Sequence, residues 1–311
     1  MMPLPIGIVG AGRSRNGLGP FLATFLERVG CRVTAVAGSS PPRAEANAAA
    51  LTHRLEHDVR PCRDLDELCA SGIAALVIAS PSEHHLAALQ AGAAARLPVL
   101  CEKPLVAEHQ VAAGIPLVSE FVGSGLLLTE NCHWPFVLPV FAQFYADVSF
   151  DSVRQLSLGL GAVRSGRALF QNTISHVLSL AQAVGHVDDD TAVGGVSLDR
   201  PSLSAPNVIR VHLRGPRLDL RLALHLDPCP NPPRPAWLEI DGVRVDRRVA
   251  PDYAFSFSGN GREVAVPDPM QQLVARFAEL VRHPNPSCIA AEGELVRQRL
   301  RLYHDILSQL P

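Results

Sequence analysis

The sequence predicts an α/β chain in two parts. A doubly wound parallel sheet occupies residues 1–130, and an α+β domain on an open, mostly antiparallel sheet occupies residues 131–311. Three observations carry this. Short apolar runs alternate with helix-period segments through the first third. The run Ala75–Ala79 is apolar throughout, as in a strand covered on both faces. After about residue 130 the period changes: residues 217–226 set Leu218, Leu220, Leu222, Leu224 and Leu226 against Arg217, Asp219, Arg221 and His225.

The first run, Ile6–Val9, leads into Gly10–Ala11–Gly12 and a basic loop with Arg13, Arg15, Gly17 and Gly19. Phe21, Leu22, Phe25, Leu26 and Val29 then recur at helical spacing up to Gly30. A second run, Val33–Ala37, completes strand, glycine turn, helix, strand. Glycines let a backbone approach a pyrophosphate, and a helix N-terminus offers unpaired N–H groups. The unit is expected to bind a dinucleotide, with Gly10 and Gly12 in the turn and Arg13 as a nearby cation. Position 15, where the usual pattern has its third glycine, is Arg15, so the loop is longer than usual. Past the second run stand Ser39, Ser40 and Arg43, with no acid. An acid there holds the ribose 2′-OH of NAD, whereas hydroxyls and a cation suit the 2′-phosphate of NADP. NADP is the favoured cofactor and NAD the alternative.

A helix over 42–52 follows, then a short helix over 62–70. The apolar strand Ala75–Ala79 ends at Ser80–Pro81. A helix over 85–95 and a strand over 98–101 lead to Glu102–Lys103–Pro104. Strand C-termini in parallel sheets face the ligand crevice, which singles out Lys103. In the second part, strands are expected over 153–163, 208–213, 217–226, 237–240 and 262–266. Helices are expected over 174–184, 270–282 and 290–310. Five prolines in Pro228–Pro235 mark a stiff, irregular loop.

The 311 residues suffice for two domains. A content of 47% hydrophobic and 19% charged residues excludes a disordered chain. A net charge of −2, without long single-sign runs, argues against a nucleic-acid partner. No apolar run approaches the roughly 20 residues that span a bilayer. The seven cysteines lack CxxC spacing, so neither a disulfide framework nor a structural zinc site is expected. His84 and His85 are adjacent and rarely both reach one ion, so no metal site is expected either. The first strand begins within a few residues of Met1, leaving no room for a signal peptide, and a cytoplasmic setting is expected.

Val77-Ile78-Ala79-Ser80-Pro81 with His85, and Glu102–Lys103–Pro104 ending a strand, resemble the glucose–fructose oxidoreductase / inositol dehydrogenase / rhizopine catabolism (Gfo/Idh/MocA) family. The resemblance covers about the first 135 residues and continues in Ile174–Ser175–His176 at a helix start. It implies a Rossmann domain, a C-terminal α+β domain and a nicotinamide between them. It places Ser80, Pro81, His85 and Glu102 about the cofactor, and a cis bond before Pro104. It gives Lys103 contact with the reacting oxygen and His176 the acid/base role. Removing hydride from an alcohol carbon makes its hydroxyl acidic; a histidine suits the proton transfer and a lysine steadies the alkoxide. Asn131, His133 and Trp134, where the chain crosses between domains, are candidates for the substrate pocket; Trp134 equally suits domain-interface packing. Family members commonly carry aspartates four residues before the histidine and three after it. Here these positions hold Asn172 and Ser179. Asn172 suits a hydrogen bond to a substrate hydroxyl but does not accept its proton near pH 7.

The implied function is an NAD(P)-dependent oxidoreductase acting on CH–OH, C=O or C=N groups of a small polar substrate, by resemblance a sugar or cyclic polyol derivative. Two alternatives stay open: a nucleotide-binding sensor or partner subunit that lost catalysis, and an imine reductase of a biosynthetic pathway. Expected partners are the small-molecule substrate and further copies of the chain, as a dimer or tetramer, with no nucleic acid and no membrane.

Overall fold

A computed structural model describes residues 2–12, 17–162, 166–201, 206–250 and 253–311. They fall into two units, Met1–Asn131 with Met270–Arg297, and Cys132–Pro269 with Gln298–Pro311. In the first unit the apolar runs become β1 (Leu4–Val9), β2 (Cys31–Ala37), β3 (Arg60–Cys62), β4 (Ala75–Ile78), β5 (Val99–Cys101) and β6 (Leu128–Glu130). They pair in parallel in the order β3-β2-β1-β4-β5-β6. The order reverses between β1 and β4, the kind of switch point at which α/β sheets bind ligands. All four residues of β4 are buried, which is why that run carries no polar alternation.

Five helices of this unit pack on the sheet or on each other: α1 (Gly19–Arg28), α2 (Pro41–Leu55), α3 (Leu65–Cys69), α4 (His85–Ala94) and α5 (Val111–Gly123). The helix expected over 62–70 divides. Cys62 pairs with Ala37 as the end of β3. Asp64 is extended and its carboxylate accepts from the Glu67 N–H at 2.8 Å, so it caps α3 and fixes its start at Leu65.

The second unit is built on β7 (Gln155–Ala162), β8 (Ala192–Leu198), β9 (Asn207–Gly215), β10 (Leu218–Pro228), β11 (Ala236–Ile240), β12 (Val243–Val249), β13 (Phe255–Gly259) and β14 (Arg262–Val266). Their order is β14-β13-β12-β11-β7-β10-β9-β8, antiparallel throughout except for the parallel pair β7–β10. A parallel sheet followed by a mostly antiparallel one is the expected fold class. The β10 alternation appears as read: its leucines are buried, Asp219 and Arg221 exposed. The buried face carries α6 (Leu138–Phe144), α7 (Arg167–Gln171) and α8 (Ile174–Val184) nearby, with α8 packed against β7 and β10. Nine of the eleven α8 residues are buried, so α8 is a core helix. On the other face the Trp237 indole lies where a Cβ on Gly159 would stand, with the Arg244 guanidinium 4.2 Å above its ring.

Two helices close the chain, α9 (Pro269–Arg282) and α10 (Pro286–Ser308). Within the first unit, Arg282 Nη2 donates to the Val29 carbonyl at 2.7 Å, fastening α9 to the end of α1. Among the described residues, no helix is long and apolar enough to cross a membrane. All seven cysteines are free thiols.

Candidate active site

The switch point of the first unit is built by backbone contact. Gly10 ends β1 with φ +84°, and its N–H donates to the Ala37 carbonyl at 3.1 Å. A Cβ on Gly10 would lie 2.5 Å from both Cα and N of Ser80. Only glycine lets the turns after β1 and β4 touch in this left-handed conformation. A Cβ on Gly19 would lie 2.7 Å from Ala11 Cα, so α1 starts against the same turn. The first turn of α1 carries no acid, which suits an anion at the positive end of the helix dipole. Gly12 is half-buried beside this turn. Arg13 lies outside the described residues. Ser39 and Ser40 follow β2, with Ser40 extended as the N-cap of α2 and Arg43 exposed in its first turn, which holds no acid. A glycine turn against backbone, an acid-free helix start and no carboxylate after β2 fit a dinucleotide, with Gly10, Gly12, Ser39, Ser40 and Arg43 as the residues that would hold it.

A second group of residues gathers at the ends of β4, β5 and β6. His85 opens α4 fully buried, with Nδ1 2.9 Å from the Pro104 carbonyl oxygen and Nε2 2.7 Å from that of Ser80. One imidazole thus ties the turn after β4 to the turn after β5. Burial pulls its pKa down, against the pull of the carbonyls. His84, by contrast, is exposed. No group of three or more His, Cys, Asp or Glu able to hold a metal occurs among the described residues.

Glu102 follows β5, buried, and its Oε1 accepts from Asn131 Nδ2 at 2.5 Å. Burial raises the Glu102 pKa, opposed by the Lys103 charge and the Asn131 amide. Lys103 is half-buried and the Lys103–Pro104 bond is cis. Glu130, at the end of β6, accepts from the Leu105 N–H at 3.1 Å. Glu130 is not among the residues expected from the sequence, although an acid just past the apolar run Leu126–Leu128 is a signal for it. The structure therefore brings Ser80, His85, Glu102, Lys103 and Asn131 into one patch, which Gly10 joins through Ser80, while Pro81 stands exposed at its margin.

In the second unit His176 is buried on α8, and its ring centroid lies 5.3 Å from that of His133 at 63°. His133 in turn stacks beside Trp134, 6.2 Å away. Asn172 is engaged locally: its Nδ2 donates to the Ala168 carbonyl at 2.5 Å, one turn back. The Ser179 hydroxyl donates to the His176 carbonyl at 2.8 Å. So His133, Trp134 and His176 form one cluster, and the positions four before and three after His176 supply no carboxylate.

The model of an oxidoreductase family with an NAD-binding Rossmann fold, Gfo/Idh/MocA, matches residues 4–130. Those residues resemble an NAD-binding Rossmann domain of that family. The match falls on the parallel sheet of the first unit, where the resemblance implied a Rossmann domain. A curated relative, the inositol 2-dehydrogenase of Streptomyces avermitilis, is 40% identical over 115 residues, 36% of this chain. The chain thus spans 31% of the length of that relative. Among solved structures, UDP-N-acetylglucosamine 3-dehydrogenase from Acidithiobacillus ferrooxidans aligns over 100% of both chains at 20% identity, with a TM-score of 0.65. An inositol dehydrogenase homolog from Azotobacter vinelandii, complexed with NADH and myo-inositol, covers 99% of this chain and 96% of its own at 16% identity and TM-score 0.68. At these identities the likeness to these structures is one of fold.

Proposed function

We propose that the protein is an NAD(P)-dependent oxidoreductase acting on a small polar alcohol or carbonyl compound, a sugar or cyclic polyol derivative. The observation that carries this reading is the lysine at the C-terminal end of β5 in a sheet whose residues match an NAD-binding Rossmann family. When bound, the nicotinamide supplies or accepts the hydride. Lys103 orients the reacting oxygen and stabilises its developing negative charge. Glu102, held by Asn131, sets the turn from which Lys103 projects. His176 relays the hydroxyl proton, a task suited to an imidazole. The relatives named for inositol and UDP-N-acetylglucosamine support the substrate class.

Ser39, Ser40 and Arg43 with no acid after β2 support NADP over NAD. Fluorescence titration of both cofactors at equal salt tests this preference; tighter NAD overturns it. The reaction is tested by screening sugars, polyols, keto acids and cyclic imines with NADPH at 340 nm. Robust turnover of a sugar or polyol is expected. A second reading, a nucleotide-binding subunit without catalysis, is supported by Asn172 and Ser179, whose side chains serve the backbone. Turnover in the same screen rejects it, and turnover of imines alone identifies an imine reductase. Self-association into a dimer or tetramer is also proposed and is read by light scattering.

A further inference from the structure

β12 places Val243, Val245, Arg247 and Val249 on one face and Arg244, Asp246 and Arg248 on the other. Val245 is fully buried. Arg247 lies opposite Ala236 of β11 and Phe257 of β13, both buried. Residues paired across antiparallel strands project to the same side. A cation therefore occupies a register position that the rest of this face fills with apolar side chains.

The Arg247 guanidinium stands 5.6 Å from the Trp134 ring centroid and 6.0 Å from that of Phe255. One terminal nitrogen donates to the Arg234 carbonyl at 3.0 Å. Its Nε is buried without a hydrogen-bond partner, and the Asp268 carboxylate acts on it electrostatically. Burial pulls its pKa down to about 10; Asp268 opposes that, and the neighbouring Arg234 charge adds to it. A guanidinium offers five N–H donors in a planar fork that matches carboxylate and phosphate oxygens. Beside a second arginine, with its Nε unpartnered in a largely apolar wall, the fork keeps a donor for an oxyanion. The place is also adjacent to the candidate chemistry of this unit. Trp134, which Arg247 approaches, stacks beside His133, whose ring meets that of His176.

We propose that Arg247 is the seat of an oxyanion, a carboxylate or phosphate group carried by the substrate, so that the substrate is an anionic sugar or polyol derivative. The anion seat stands on the geometry of the second unit; its assignment to a substrate rests on the oxidoreductase reading.

The test uses the full chain, its Arg247→Met and Arg247→Lys variants, and three probes at matched ionic strength: inorganic phosphate, glucuronate and glucose. Phosphate and glucuronate should raise the Tm of the wild type, and glucose should not. Without anion, Arg247→Met should melt no lower than the wild type, since a desolvated and incompletely bonded cation is gone, and it should lose the anion-dependent rise. Calorimetry should show glucuronate binding at least tenfold weaker in Arg247→Met and intermediate in Arg247→Lys, which keeps charge but not the fork. A wild type that ignores both anions overturns the proposal, as does a variant that keeps the full response. Turnover at 340 nm separates the two layers. Anion binding at Arg247 without any turnover supports the seat and refutes the oxidoreductase reading. Turnover of neutral sugars equal to that of anionic ones, and unchanged in Arg247→Met, refutes the substrate class.

Discussion

Replacing Gly10 by alanine tests the switch point directly. The φ of +84° lies in the left-handed region, which costs a non-glycine residue roughly 1–2 kcal/mol. The new methyl would stand 2.5 Å from Ser80 Cα and N and 2.9 Å from Ala79 C. These are backbone atoms, so no rotamer change relieves the overlap and the turn after β4 must shift. Overpacking of this kind costs about 1–3 kcal/mol. Together Gly10→Ala should destabilise the protein by about 2–5 kcal/mol. Gly72→Ala is the control: its φ is +79°, but a Cβ there meets nothing within 4 Å. Its cost should stop at about 1–2 kcal/mol, and the difference between the two variants isolates the contact with Ser80. Urea unfolding at 25 °C gives both values. Because Ser80 also faces His85, Gly10→Ala should weaken NADPH binding tenfold or more, whereas Gly72→Ala should leave it unchanged. Equal stability losses in the two variants, with unaltered NADPH affinity in Gly10→Ala, would refute the reasoning.

Glu102 has a folded pKa raised by burial, so the unfolded chain gives up this proton first as pH rises and the wild type loses stability above the unfolded value, about 4.3. Glu102→Gln should therefore match the wild type near pH 4 and gain in Tm relative to it toward pH 8; a pH-independent difference contradicts this. His85→Ala removes a buried ring whose two nitrogens lie against carbonyl oxygens of two turns, and should cost about 2–4 kcal/mol in urea unfolding. A loss below 0.5 kcal/mol, the range of an ordinary surface change, counts against the linking role. Gly159→Ala drives a methyl into the Trp237 indole and should cost about 1–3 kcal/mol, with a change in tryptophan fluorescence; a silent spectrum contradicts the contact.

The first unit was legible because its signals are local. β1, the glycine turn and β4 announce themselves by apolar runs and by residues that only their backbone geometry explains. β10 was legible for a related reason: one side faces water, so its leucines alternate with charges. The misses are those in which tertiary context overrides pattern. Cys62 joins a strand because β2 offers an edge, and Asp64 then restarts the chain as a helix. β12 was unread because Arg247 falls where alternation calls for an apolar residue, and the same interruption marks it for the anion seat. Glu130 ends the short β6 and Asn131 follows it, yet their partners Leu105 and Glu102 lie far back in the chain. The Asn172 amide donates to the Ala168 carbonyl, a local bond that sequence spacing does not reveal.

The central claim is that Lys103 handles the reacting oxygen of a hydride transfer. It is tested most directly by comparing Lys103→Ala with the wild type in NADPH-dependent turnover at 340 nm, with NADPH affinity measured alongside. The account predicts a fall in kcat of about 10²–10³-fold with NADPH binding nearly intact. Undiminished turnover by Lys103→Ala would contradict it.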